Sequence, residues 1–182
     1  MSITLEKVSC PLDWLQIYRL YVRAFPAPER KPFGIIRRMQ RKGKTDVWVC
    51  RQKGRFAGFA ATINDETLIL LDYLAVSPAL RGQGLGTRML EALKAAYDRK
   101  GIFVEIESLS EAAANQDERL RRKRFYESCG FVPLGVTAIV FGVSMELMGW
   151  QCELDFKQYH AFYRDNYSEF AARNIVDATQ RL

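Results

Sequence analysis

The sequence predicts an α/β domain. Three observations lead there. Apolar runs with strand periodicity alternate with segments of helical periodicity along most of the 182 residues. One run, "TLILLDYLAV" (67–76), is almost unbroken, as expected of a central strand covered on both faces. It leads through Pro78 into "RGQGLG" (81–86) and on into a helical pattern, so a glycine turn sits where a strand hands over to a helix.

The elements follow in order. "SITLEKV" (2–8) alternates like a short strand. Over 12–25, Leu12, Leu15, Ile17, Leu20, Tyr21 and Phe25 recur at helical spacing. "FPAPERKPFG" (25–34) carries three prolines and must be irregular; a basic helix over about 33–42 follows. "DVWVCRQKGRFAGFAATI" (46–63) reads as two strands around Lys53-Gly54, a hairpin signal. After the glycine turn, "LGTRMLEALKAAYDRKG" (85–101) sets Leu85, Met89, Leu90, Leu93, Ala96 and Tyr97 on one helical face, with Gly101 as the terminator.

"IFVEIES" (102–108) is another strand, and "SEAAANQDE" (110–118) is a polar loop. "RLRRKRFYESCG" (119–130) is a short helix ended by Gly130, and "FVPLG" and "TAIVFGVSMELM" read as two closing strands. The tail changes character. Leu154, Tyr159, Phe162, Tyr163, Tyr167 and Phe170 recur at helical spacing, so an aromatic-rich helical extension over 149–182 follows a domain over 1–148. Its stripe is expected to pack on the domain, with a homodimer contact as the alternative.

Composition narrows the class. With 27 Lys+Arg against 21 Asp+Glu, the net charge of +6 suits a polyanionic ligand, either nucleic acid or a phosphorylated small molecule. The basic clusters Arg37–Lys44 and Arg119–Arg124 lie in no helix-turn-helix or aromatic RNA-binding motif, so nucleic acid is not the expected partner. No apolar run approaches the ~18 residues of a membrane span. "MSITLEKVSCPLDW" lacks a signal-peptide pattern. Cys10, Cys50, Cys129 and Cys152 are scattered and His160 is the single histidine, so no metal site is expected. Reduced thiols fit a cytoplasmic protein.

A helix beginning after a glycine turn is an anion site, because its first N–H groups lack intrahelical partners and the macrodipole adds positive charge. A phosphate-binding GxxxxGK[ST] loop is excluded, since no lysine follows Gly86. A GxGxxG dinucleotide fingerprint fails in both frames, at Thr87 and at Met89, although Glu105 lies where a ribose-binding acid would sit. A tight turn that needs glycine for geometry alone is the bland alternative.

"AVSPALRGQGLG" resembles the acyl-coenzyme A signature (R/Q)xxGxG(L/I/V)G of the GNAT superfamily of N-acetyltransferases, and "RFYESCGF" (124–131) resembles its FYxxxGF segment. The resemblance covers about residues 3–148. It implies a mixed, mostly antiparallel central sheet flanked by helices. It also implies an enzyme that moves an acetyl group from acetyl-CoA directly to a primary amine. The acceptor is a small amine or a peptide or protein α-amino group, with no metal required. Backbone N–H groups over Arg81, Gly82, Gln83, Gly84, Leu85 and Gly86 would hold the pyrophosphate. A Cβ at a glycine would obstruct that approach, and Arg81 or Arg88 would add charge. Leu74, Ala75 and Val76 would pair their backbone with the pantetheine amides. Many members carry asparagine six residues before the Phe of the FY pair; here that position is Arg119.

Amine acetylation needs a proton acceptor for the amine and a donor for the departing sulfur. The resemblance points to Tyr126 as the donor, protonated at neutral pH. Glu105 and Glu107 alternate with Val104 and Ile106, so both face one side of their strand, which lines the acetyl-group cleft in the superfamily. They are the candidates for base or for contact with a cationic acceptor. Glu29, in the proline-rich loop, is a candidate for substrate contact. The rival reading is a non-catalytic module that binds coenzyme A, or nucleic acid through Arg119–Arg124.

Overall fold

The computed structural model describes residues 2–27, 30–110 and 113–179. The elements run β1 (Ile3–Lys7), α1 (Pro11–Ala24), α2 (Phe33–Arg41), β2 (Thr45–Gln52), β3 (Arg55–Asn64), β4 (Leu68–Val76), α3 (Leu85–Ala96), β5 (Gly101–Glu107), α4 (Gln116–Ser128), β6 (Val132–Val140), β7 (Val143–Trp150), α5 (Phe156–Asn166), α6 (Glu169–Arg173) and β8 (Ile175–Asp177). The strand order is β1-β2-β3-β4-β5-β7-β6-β8. The β1–β2, β2–β3, β5–β7, β6–β7 and β6–β8 ladders are antiparallel and the β4–β5 ladder is parallel. The sheet is therefore mixed and mostly antiparallel. No helix among the described residues is long and apolar enough to cross a membrane.

The chain forms two compact units: Met1–Asn64 with Leu71–Asp98, and Asp65–Leu70 with Arg99–Leu182. The first holds β1, β2, β3, the later part of β4 and helices α1 to α3. Helix α1 begins at Pro11, whose missing N–H is tolerated in a first turn. Its inner face puts Ile17, Leu20 and Tyr21 on Val47, Val49, Phe59, Ala61, Tyr73 and Ala75. A second cluster joins Cys50, Ala57, Leu85 and Met89, with Leu74 and Val76 against it. Alternate side chains of β4 thus enter different cores. Gly58 of β3 has a steric reason: a Cβ there would come within 2.4 Å of the Ala75 carbonyl oxygen.

The second unit holds the start of β4, paired as Leu68↔Gly101, Ile69↔Ile102 and Leu70↔Phe103, and the strands β5, β7, β6 and β8. The aromatic stripe of the tail is buried from Leu154 to Tyr163, and Phe103 receives Tyr159 and Phe162 edge-on; Phe170 is exposed. Helix α5 starts at a full capping box, Asp155 accepting from Gln158 N and Gln158 accepting from Asp155 N.

Several boundaries differ from the sequence expectations. The helix expected to run to Gly101 stops at Ala96. Tyr97 turns inward, where its hydroxyl meets Trp48 Nε1, Thr62 Oγ1 and Asp46 Oδ2. Gly101 is instead the first residue of β5, where a Cβ would lie 2.4 Å from Cys152 Cβ. "FVPLG" and "TAIV" are one strand, β6, broken in register between Pro133 and Thr137 with Gly135 at φ +70°. The tail is not wholly helical: Ile175–Asp177 adds β8 to the sheet beside β6.

Gly58→Ala is expected to destabilise the fold by about 3 kcal/mol, the upper end for overpacking, because the neighbour is backbone and cannot yield. Gly34→Ala, whose Cβ would meet nothing within 4 Å inside α2, is expected to stabilise by about 0.5–1 kcal/mol. Urea denaturation of the two variants checks both signs.

Candidate active site

The glycine turn is built by the end of β4 and the start of α3. After Val76 the chain makes one 3-10 turn over Pro78–Leu80 and then passes Gly82 at φ +74° and Gly84 at φ +70°. Gly84 is the N-terminal cap of the twelve-residue α3. A Cβ at either glycine would meet nothing within 4 Å in the protein itself. Glycine is needed here for the left-handed backbone, not for internal space. Leu85 is buried against Cys50, Ala57 and Met89, which fixes the start of the helix.

Two arginines reach back over the turn. Arg88 Nη2 donates to Gln83 O at 3.0 Å, while Arg88 Nε is buried without an acceptor. Arg81 Nε lies 3.4 Å from Val76 O. The first N–H groups of α3 and an unsatisfied guanidinium nitrogen therefore surround one turn. This is donor chemistry suited to an anion.

The second unit carries the expected acid and base residues. Tyr126 in α4 is buried, edge-on to Phe125 and beside Phe131. Burial pushes its phenol up to about 12, against a partial opposing pull from Arg122. Its hydroxyl makes no hydrogen bond among the described residues.

Glu105 and Glu107 are two apart on β5 but are engaged by different helices. The Tyr159 and Tyr163 hydroxyls of α5 both donate to Glu105 Oε1, the second at 2.7 Å. Glu107 is buried between two guanidiniums of α4: Arg119 Nη2 reaches Oε1 at 3.0 Å and Arg122 Nη1 reaches Oε2 at 2.9 Å. Arg119 also donates to Ser108 O and Asn115 Oδ1. It clamps the end of β5 to the start of α4.

Beside it, Glu146 of β7 accepts from Lys123, Ser108 Oγ and the Leu109 N–H. Burial alone would raise the Glu146 carboxyl, but Lys123 and the backbone donor outweigh it and hold the group below its ordinary range. The partners Tyr159 and Tyr163 lie 54 and 58 residues from Glu105, a separation that no local pattern signals. Arg122 stood in the sequence only as part of a basic run, and Arg119 also as the residue in place of the asparagine of many GNAT members. Glu29 lies outside the described residues. Among those described, no cluster of three His, Cys, Asp or Glu could hold a metal ion.

A family model described as an acetyltransferase (GNAT) domain matches residues 43–133. No curated protein matches the sequence. Among solved structures, a Bacteroides thetaiotaomicron protein assigned to GNAT acetyltransferases is 22% identical, with a TM-score of 0.72 over 90% of this chain and 98% of its own. The ribosomal-protein-S18-alanine N-acetyltransferase of Escherichia coli is 21% identical, with a TM-score of 0.64 over 85% and 96%. An aminoglycoside 6′-N-acetyltransferase complexed with coenzyme A is 18% identical, with a TM-score of 0.67 over 85% and 100%. At these identities the likeness is one of fold.

Glu146 makes a pH-dependent contribution to stability. Its carboxyl titrates lower in the folded chain than the reference 4.5, so the contribution is present above about pH 4.5 and is lost as pH falls through the folded value. Glu146→Gln should therefore melt below wild type at pH 7, and the gap should close on acidification toward pH 3. Thermal melts across that range test it.

Proposed function

The chain belongs to the GNAT family of acetyltransferases, and from that premise we propose that it moves the acetyl group of acetyl-CoA directly to a primary amine. The observation that carries this is the turn Arg81–Gly86: two left-handed glycines open a long helix whose first N–H groups lack intrahelical partners. The buried, unpaired Arg88 Nε beside it fits a diphosphate as well. Leu74, Ala75 and Val76 would hold the pantetheine through backbone groups, since their side chains are committed to two cores.

Acetyl-CoA supplies the acetyl group as an activated thioester. Transfer forms a C–N bond and breaks a C–S bond, so one proton must leave the amine and one must reach the sulfur. Tyr126 would supply the second. With its phenol raised to about 12, it holds its proton throughout the neutral range. Glu105 is the better base of the two carboxylates. Glu107 has a guanidinium on each oxygen, so both of its oxygens are already occupied by Arg119 and Arg122. Glu107 is assigned instead to positioning Arg119 and Arg122.

The similar folds named above act, by their names, on a protein alanine and on an aminoglycoside, which supports an amine acceptor as a class. Both a small amine and a protein α-amino group remain within that class. Thiol release from acetyl-CoA over a panel of amines and peptides is the direct test. Coenzyme binding without turnover on any of them would leave a binding module in its place.

Tyr126→Phe removes one hydroxyl and keeps the ring. The rate is expected to fall by roughly 10²–10⁴ with coenzyme affinity nearly unchanged, as for a positioned general acid. In the wild type, no loss of rate from Tyr126 ionisation is expected at neutral or mildly alkaline pH, because a phenol raised to about 12 keeps its proton there. Activity of the Phe variant within about threefold of wild type would remove Tyr126 from the mechanism.

Gly84→Val must place a β-branched residue at φ +70° and a side chain over the first turn of α3. Calorimetry should show acetyl-CoA binding lost in a variant that still folds. Normal binding would refute the pyrophosphate site.

A further inference from the structure

The positive charge of the chain is concentrated in one segment. Residues 11–44 carry nine Lys and Arg against two acids, Asp13 and Glu29, or +7; the rest carries 18 bases and 19 acids, or −1. Asp13 does not screen this charge, because it is buried in an ion pair with Arg51. Of the bases, Lys31 is spent on Asp72. Arg19 and Arg23 of α1, Arg37, Arg38 and Arg41 of α2, and Lys42 and Lys44 just beyond it are all exposed.

The same segment exposes an apolar stripe. Leu12 is 61% exposed, Leu15 44%, Tyr18 48% and Val22 40%. Their spacings of three, three and four residues put them on one face of α1, opposite the buried Ile17, Leu20 and Tyr21. Arg19 follows Leu15 by four residues and precedes Val22 by three, so it borders the stripe on one side, with Arg23 a turn further on. On the other side lies α2. Phe33 packs against Trp14 and Tyr18, and the Arg37 guanidinium sits 5.3 Å over the Trp14 ring. Arg41 follows Arg37 by one turn. An apolar strip about 15 Å long, from the ~1.5 Å rise per residue, thus runs between two rows of arginine.

We propose that this face of α1 and α2 docks an acidic amphipathic segment of a partner protein, with apolar side chains on Leu15, Tyr18 and Val22 and carboxylates on the flanking arginines. Three features select that occupant. A second copy of this chain would bring two strongly basic faces together, and like charges at close range oppose association. A nucleic acid would find phosphate contacts but a stripe with a single aromatic ring, Tyr18, among aliphatic side chains, where base recognition needs a run of aromatic or hydrogen-bonding surfaces. An anionic bilayer would suit the charge, but Leu15, Tyr18 and Val22 are each more than half covered, so they form a floor rather than an insertion edge. Arginine in five of the seven exposed positions favours the forked geometry of carboxylate.

The docking needs only the charge and exposure of this face, so it stands or falls apart from the acetyl-transfer reading. The probe is a fluorescent peptide of about 16 residues, with leucines at helical i, i+3, i+4, i+7 spacing and glutamates flanking them. A scrambled peptide of the same composition is the control. The patterned probe should bind the full chain and weaken as salt is raised. Arg19→Glu with Arg37→Glu, and separately Leu15→Ser with Val22→Ser, should each weaken it at least tenfold. Arg19→Glu should still release thiol with a small amine within twofold of wild type, so loss of docking is distinguishable from loss of catalysis. The idea is overturned if the patterned probe fails to bind, if the scrambled probe binds equally, or if phosphatidylserine vesicles or a 20-mer RNA are preferred.

Discussion

Strand β4 gives its side chains away on both faces. Tyr73 and Ala75 join the core under α1, while Leu74 and Val76 back the core under α3. Such a strand has only its backbone and its C-terminal end left for chemistry. The turn and helix beyond it answer to that constraint. The turn after Val76 is made of glycines in left-handed conformation, and α3 opens with donors rather than with functional side chains. The same constraint accounts for Gly58 on the neighbouring strand, where a side chain would strike the Ala75 carbonyl. On the proposed reading, anion recognition would be a property of the path of the chain. Leu85, buried at the first position of α3, anchors that path.

Side-chain chemistry is concentrated in the second unit, where the acids of β5 are divided between two helices. Removing a partner from Glu107 would leave a buried charge uncompensated, a loss of about 3–5 kcal/mol for fully buried pairs. The half-exposed Arg122 lowers that figure here. Glu105 receives two phenols, neutral donors that orient a carboxylate without cancelling its charge. One strand thereby holds two acids of different character. Both phenols come from α5, downstream of the family-matched residues 43–133, so the tail contributes polar groups as well as packing.

Much of this could be read from the amino acids. The β2–β3 hairpin around Lys53-Gly54, the uninterrupted β4 and the glycine turn each follow from local pattern, because their periodicity and turn residues agree with the final structure. The parts that could not be read were set by distant contacts. Tyr97 leaves its helix early for Asp46, Thr62 and Trp48, which are remote in sequence. Residues 175–177 carry too short a pattern to announce a strand, and form one only because β6 offers an edge. Glu105 and Glu107 looked alike in sequence. Their difference rests on tyrosines and arginines whose positions only the fold supplies.

Net charge illustrates the same limit. A total of +6 invites a search for one polyanionic ligand, and coenzyme A would satisfy it. Yet residues 72–88, the end of β4 and the turn, contribute only Asp72, Arg81 and Arg88, a net of +1. In the proposed site, two arginines and a row of N–H groups would be enough for a diphosphate, because donors already oriented cost little to order on binding. The bulk charge over 11–44 therefore has no role in that site to explain it. A surface with seven exposed cations self-repels and persists against a cost in folding stability. Its arrangement around an apolar stripe, with Arg37 ordered over Trp14, is what a complementary surface would need.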